Sequence, residues 1–150
     1  MIENKVGIAV DMHVKSEPQN LDITTQVRLM ATYTAEIVDE TIYNSAIDGK
    51  NDRALVREAL INAWPKACEE VFQGPLTPND AILPSEDLCL TLKTIANQEL
   101  ASVGIQLIEL KRDGWVLPET ERMQIEKACK GEPIVDAIMQ DGPGMRYEPK

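Results

Sequence analysis

The hydrophobic patterning of this chain predicts an α+β domain, a small antiparallel sheet packed with three to four helices. Three observations carry that expectation. Two consecutive N-terminal segments alternate apolar and polar residues, the period-two signature of half-buried strands. The middle of the chain changes to apolar residues at helical spacing, and a late aliphatic segment near 105–110 returns to strand character. Strands, then helices, then one more strand is the order of an α+β fold rather than of repeated βα units feeding a parallel sheet.

The first strand sets Val6, Ile8, Val10, Met12 and Val14 on one side, with Gly7, Ala9, Asp11, His13 and Lys15 on the other. Pro18 and Asn20 break the pattern in a turn. Leu21, Ile23, Val27, Leu29 and Ala31 then resume the alternation against Asp22, Thr24, Gln26, Arg28 and Thr32. Two such strands joined by a short turn pair antiparallel. After Thr34, expected as a helix N-cap with Glu36 and Asp39 near the positive end of the dipole, Val38, Ile42 and Ala46 share one face, and Asp48-Gly49 supplies a stop. Asp52 is expected to cap a helix carrying the stripe Leu55, Val56, Ala59, Leu60, Ala63, Ala67 and Val71. Pro65 falls inside it and should kink the helix or end it at Trp64.

The proline-punctuated stretch "GPLTPNDAILP" is expected as a loop. Ser85 should cap the next helix, which turns Leu88, Leu92, Ile95, Ala96, Leu100 and Val103 inward and stops at Gly104. Ile105, Leu107, Ile108 and Leu110 put apolar residues on both parities, which fits either an interior strand covered on both faces or a strand with a bulge. Lys111 to Gly114 reads as a turn or bulge. Pro118 is placed for a first helical position, and "ETERMQIEKACKG" reads as a charged helix ended by Gly131. Residues 1–131 therefore form one domain, and 132–150 a C-terminal extension, a short helix and then a mobile tail.

Size and charge bound the function. The 150 residues, 43% hydrophobic but only 4% aromatic, suffice for one domain with an aliphatic core. The net charge of −10 is spread evenly over both halves. Nucleic-acid binding relies on clustered Lys and Arg, so this balance argues against it, and equally against adsorption to anionic lipid. Cys68, Cys89 and Cys129 lack metal or redox spacing and sit beside apolar residues, as buried free thiols of a reducing compartment do. With no leader pattern and no run of about 20 apolar residues, a cytoplasmic location is expected.

Catalytic signatures are hard to find. His13 is the one histidine and lies on the polar side of its strand. No G-x-S-x-G elbow, metal-ligand spacing or cofactor motif accompanies it, and "GKNDRALV" has one glycine where a phosphate cradle needs more. The pairs Glu69-Glu70, Glu86-Asp87 and Glu119/Glu121 are adjacent or nearly so on helices, where a solvated face or dipole complementation explains them. An enzyme would require a deep pocket lined by Asp11, His13 or the Glu69-Glu70 pair with strongly shifted titration.

Three segments together resemble a known family. "PQNLDITTQVRLMATYTAEIVDETIYNSAI" is similar to its alternating strand running into a helix, and "RALVREALINAWPKACEEV" to its next helix. "LTLKTIANQELASVGIQLIELKRDGWVLPETERMQIEKA" resembles most closely its long helix, Gly-Ile turn, aliphatic strand, proline-ended apolar segment and charged helix. The family is the SPFH (prohibitin-homology, band-7) domain of stomatins, prohibitins and flotillins, and the resemblance covers roughly residues 19 to 130. It implies an α+β domain without catalytic residues, a scaffold acting through homo-oligomerisation and through a protein partner such as a membrane protein or protease. The apolar anchor and coiled coil that flank the family's domain have no counterpart in these residues, so membrane contact is expected only through parts outside this chain. A soluble acidic adaptor or inhibitor that binds a basic protein without self-assembly is the alternative.

The resemblance directs attention to Trp115, Val116, Leu117 and Pro118, where the late strand leads toward the helix at which family members begin to assemble. Burial in the core is one expectation for Trp115. A subunit contact formed by these four residues is the other.

Overall fold

Two long strands, β1 (Ile2–Ser16) and β2 (Leu21–Ile37), pair antiparallel from Ile2↔Ala35 to Ser16↔Leu21 in the computed structural model, which describes residues 1–47 and 51–130. Asn20 closes the hairpin in the left-handed region (φ 54°), which its short polar side chain tolerates, and its N–H donates to the Glu17 carbonyl at 3.0 Å. A third strand, β3 (Ile105–Val116), pairs antiparallel with the other side of β2, giving the order β1-β2-β3.

The predicted alternation decides which face is buried. Val6, Ile8, Val10, Met12 and Val14 of β1 and Leu21, Val27, Leu29, Ala31, Tyr33 and Ala35 of β2 all point inward. Against that face lie α2 (Asp52–Phe72) over β1 and α4 (Asp87–Leu100) over β3, and the two helices pack on each other. Every residue expected in the α2 stripe is buried except Val71, which is half-buried. The fold is therefore α+β, as the patterning predicts.

Several boundaries differ from expectation for physical reasons. Thr34 is not a helix cap: β2 runs on to Ile37, because Thr34, Ala35, Glu36 and Ile37 find partners in Glu109, Leu107, Gln106 and Ile105. The helix α1 (Glu40–Ala46) starts later, with the Asp39 carboxylate accepting from the Ile42 N–H at 3.0 Å, and it buries none of its residues. Asn51 rather than Asp52 caps α2, accepting from Ala54 N–H at 2.8 Å. Pro65 does not end α2, which continues unbroken to Phe72 while Ala63, Trp64 and Ala67 stay buried around it.

The expected loop before Ser85 contains ordered structure. Leu76 pairs with β1, donating to His13 O at 2.8 Å and accepting from Lys15 N at 3.0 Å. A short helix, α3 (Pro78–Ile82), follows with Thr77 as its cap and Pro78 at its first position. With α5 (Glu119–Cys129), this makes five α-helices among the described residues, one more than expected. Glu86 rather than Ser85 is the N-cap of α4 and makes no side-chain cap bond, while Ser85, one residue earlier, accepts from Asp87 N with its Oγ at 3.1 Å. Gly104 ends the 3₁₀ turn Ala101–Val103 at φ 76°, and a Cβ there would stand 2.4 Å from Asp39 O, so only glycine fits. Pro118 precedes α5 instead of opening it.

The strand β3 is an edge strand, not an interior one. Its mixed parity comes from pairing irregularities opposite Thr34/Ala35, which set Ile108 outward (39% exposed), and opposite Met30/Ala31, at Asp113. Residues 111–114 are thus a bulge within the strand, one of their two expected readings, and not a turn that ends it. The expectations at Asp48-Gly49, at Gly131 and for the extension 132–150 lie outside the described residues. Among the described residues no helix is long and apolar enough to cross a membrane.

Candidate functional site

Strand alternation separates the four predicted interface residues. Trp115 and Leu117 turn inward, Leu117 buried and Trp115 half-buried against the core. The Trp115 indole donates to the Ala81 carbonyl at 2.7 Å and tilts on Trp64, with ring centroids 6.1 Å apart. Val116 and Pro118 point to solvent, Val116 at 54% exposure. The structure brings only half of the predicted stretch to the surface.

The solvent-facing side of the sheet is where Val116 has company. Met30, 47% exposed, lies at the centre with Gly7 and Gly114 as its cross-strand neighbours. A Cβ on either glycine would come within 3.1–3.3 Å of the Met30 side chain, so the two glycines leave room for it to lie flat across the face. In the next row Arg28 sits between Ala9 and Val116. The result is a low apolar patch on a face otherwise occupied by charged and polar side chains.

Beside this patch, where β1 meets the start of α2, is a recess of about 450 Å³. Val6, Gly7, Met30 and Ala54 give it an apolar floor, and Lys5, Arg53 and Arg57 supply three cations. Among the described residues no carboxylate lines it, and the described ion pairs include none of the three cations. Arg57 Nε donates to the Gly7 carbonyl at 3.1 Å, which fixes that guanidinium at the strand edge. Arg53 stands in the first turn of a 21-residue helix, the end where the dipole disfavours a cation. Lys5, Arg53 and Arg57 escape a sequence reading because β1 and α2 bring them together only in the fold. The one local signal is a pair of arginines at i and i+4 beginning a helix.

Several backbone groups on both outer edges of the sheet are already occupied. On β1, Gly7 O accepts from Arg57, Asp11 O from Trp64 Nε1 at 2.8 Å, and His13 O from Leu76 N. On β3, the Asn97 amide mimics a strand, its Oδ1 accepting from Leu107 N at 2.8 Å and its Nδ2 donating to Leu107 O at 3.2 Å, while Lys93 Nζ donates to Ile108 O at 3.1 Å. Such plugs discourage strand addition by another chain and leave side chains as the means of contact.

A second groove, about 630 Å³, brings Asp11 and His13 beside Trp64, Pro65 and Cys68, whereas the Glu69-Glu70 pair does not line it. Burial pushes the Cys68 thiol up to about 12, so it stays protonated and is a weak nucleophile at neutral pH. His13 Nε2 hydrogen-bonds Asp22 Oδ1 at 2.6 Å, and that bond holds the Asp22 carboxyl below its ordinary range. The other two thiols, Cys89 and Cys129, are also free and raised by burial. Among the described residues no group of three or more His, Cys, Asp or Glu is placed to hold a metal ion.

No protein-family model and no curated protein sequence matches this chain.

Proposed function

We propose that this chain is a non-enzymatic assembly module of SPFH type, acting through contacts with copies of itself and with a partner protein. The observation that carries this reading is the exposed apolar patch of Met30 and Val116, continuous with the cationic recess at Lys5, Arg53 and Arg57. Exposed apolar surface rimmed by charge is what an interaction site offers, because burying it against another protein gains hydrophobic free energy while the rim selects the partner. The order of strands and helices, with an antiparallel sheet left open on one side, is in keeping with the resemblance.

A charge placed at the centre of the patch tests the reading. Met30→Asp replaces an exposed side chain, so the urea midpoint should hardly move, while association measured by light scattering should weaken. Unchanged association in this variant would remove the open face from the contact.

A further inference from the structure

We propose that the recess of Lys5, Arg53 and Arg57 receives an acidic lip on a second copy of this chain, formed by Val116, Pro118 and the first turn of α5 with Glu119 and Glu121. This deepens the assembly reading and rests on it. The recess opens at the β1 edge and the lip lies at the β3 edge, with Met30, which also lines the recess, on the strand between them.

Charge complementarity selects the occupant. The chain carries 25 acidic and 15 basic residues, so two copies repel one another over most of their surfaces. A recess that no described carboxylate lines, with three cations in none of the described ion pairs, is a place where an acidic surface gains instead. The start of α2 adds its positive dipole end to the same place. The lip matches in kind: Glu119 and Glu121 are in none of the described ion pairs, and exposed Val116 and Pro118 would meet the apolar floor made by Val6, Met30 and Ala54.

The same charges narrow the symmetry. A two-fold contact centred on the recess would set three cations against three, which is repulsive. The recess must therefore meet a different surface of its neighbour, either reciprocally in a two-fold dimer where each recess takes the other copy's lip, or head-to-tail in a contact that repeats. Arg57, Trp64 and Leu76 on β1 and Asn97 and Lys93 on β3 already occupy several edge groups, which disfavours strand addition where they stand and favours contact through side chains.

Sedimentation velocity of the full 150-residue chain tests this with two charge reversals, Lys5→Glu/Arg53→Glu in the recess and Glu119→Lys/Glu121→Lys in the lip. Each should raise the concentration needed for assembly by at least about tenfold. The lip variant is decisive because it lowers the net negative charge. General repulsion alone would make it assemble better, whereas docking in the recess makes it assemble worse. Mixing the two variants should restore assembly, since reversed recess and reversed lip again attract. Variants that assemble like the unmodified chain, or a mixture that stays dissociated, would overturn this contact while leaving self-assembly standing. An unmodified chain that stays monomeric would overturn the assembly reading itself.

Discussion

Single side chains in this fold divide sharply between holding the domain and facing outward, and neighbours in sequence do opposite jobs. Trp115 packs on Trp64 and spends its indole hydrogen on Ala81 O, so Trp115→Ala should lower stability by about 3 kcal/mol in urea denaturation. Val116, one residue on, should tolerate Asp with a change of no more than about 0.5 kcal/mol. The Tyr33 hydroxyl donates to the Asp52 carboxylate at 2.5 Å, and burial together with that carboxylate raises the phenol well above its ordinary range. Tyr33→Phe leaves Asp52 without this donor and should cost about 1.5–3 kcal/mol, read as a lower urea midpoint. On the surface, Asp22 is held below its ordinary value by the hydrogen bond from His13 and by the nearby charges of His13 and Lys15. A depressed carboxyl contributes stability above its unfolded value near 3.9 and loses it as pH falls through the lower folded value. The gap in denaturation midpoint between the unmodified chain and Asp22→Asn should therefore shrink as pH falls from about 5 to below about 4.

At the level of elements, what the sequence could show was whatever depends on local period. The inward residues of β1, the stripe of α2 and the Gly104 stop follow from spacing and from a single small residue. The end of β2 was not legible, because Thr34 to Ile37 become strand only by pairing with residues about 70 positions away. Leu76 is the same case in miniature, a one-residue bridge to β1 inside what looked like loop. The parity of β3 fits burial on both faces or a bulge, and only the pairing with β2, which skips Ile108, decides for the bulge. Edge protection is also an element-scale device. Asn97 satisfies both backbone groups of Leu107, so Asn97→Ala should cost about 1–3 kcal/mol. Faster amide exchange at Leu107 in that variant would locate the loss at the β3 edge.

Across the whole molecule the decisive property is sidedness: helices cover one face of a three-stranded sheet, and the other faces solvent with Met30 and Val116 exposed. Of the four residues that the sequence singles out, Val116 and Pro118 are exposed, while Trp115 and Leu117 turn inward. The sequence could not locate the recess, because Lys5 and Arg53 lie far apart in the chain and meet only when α2 packs on β1. A net charge of −10 hid a local cluster of cations for the same reason, a sum over residues having no positions in it. The central claim is that this surface brings copies together. Its most direct test is the mass of the unmodified chain by sedimentation velocity, measured over a wide concentration range at about 0.15 M salt, where a Debye length near 8 Å keeps only close charges in play. The account predicts a weight-average mass that climbs above the 16.7 kDa of one chain as concentration rises. A mass fixed at one chain over the whole range would contradict it.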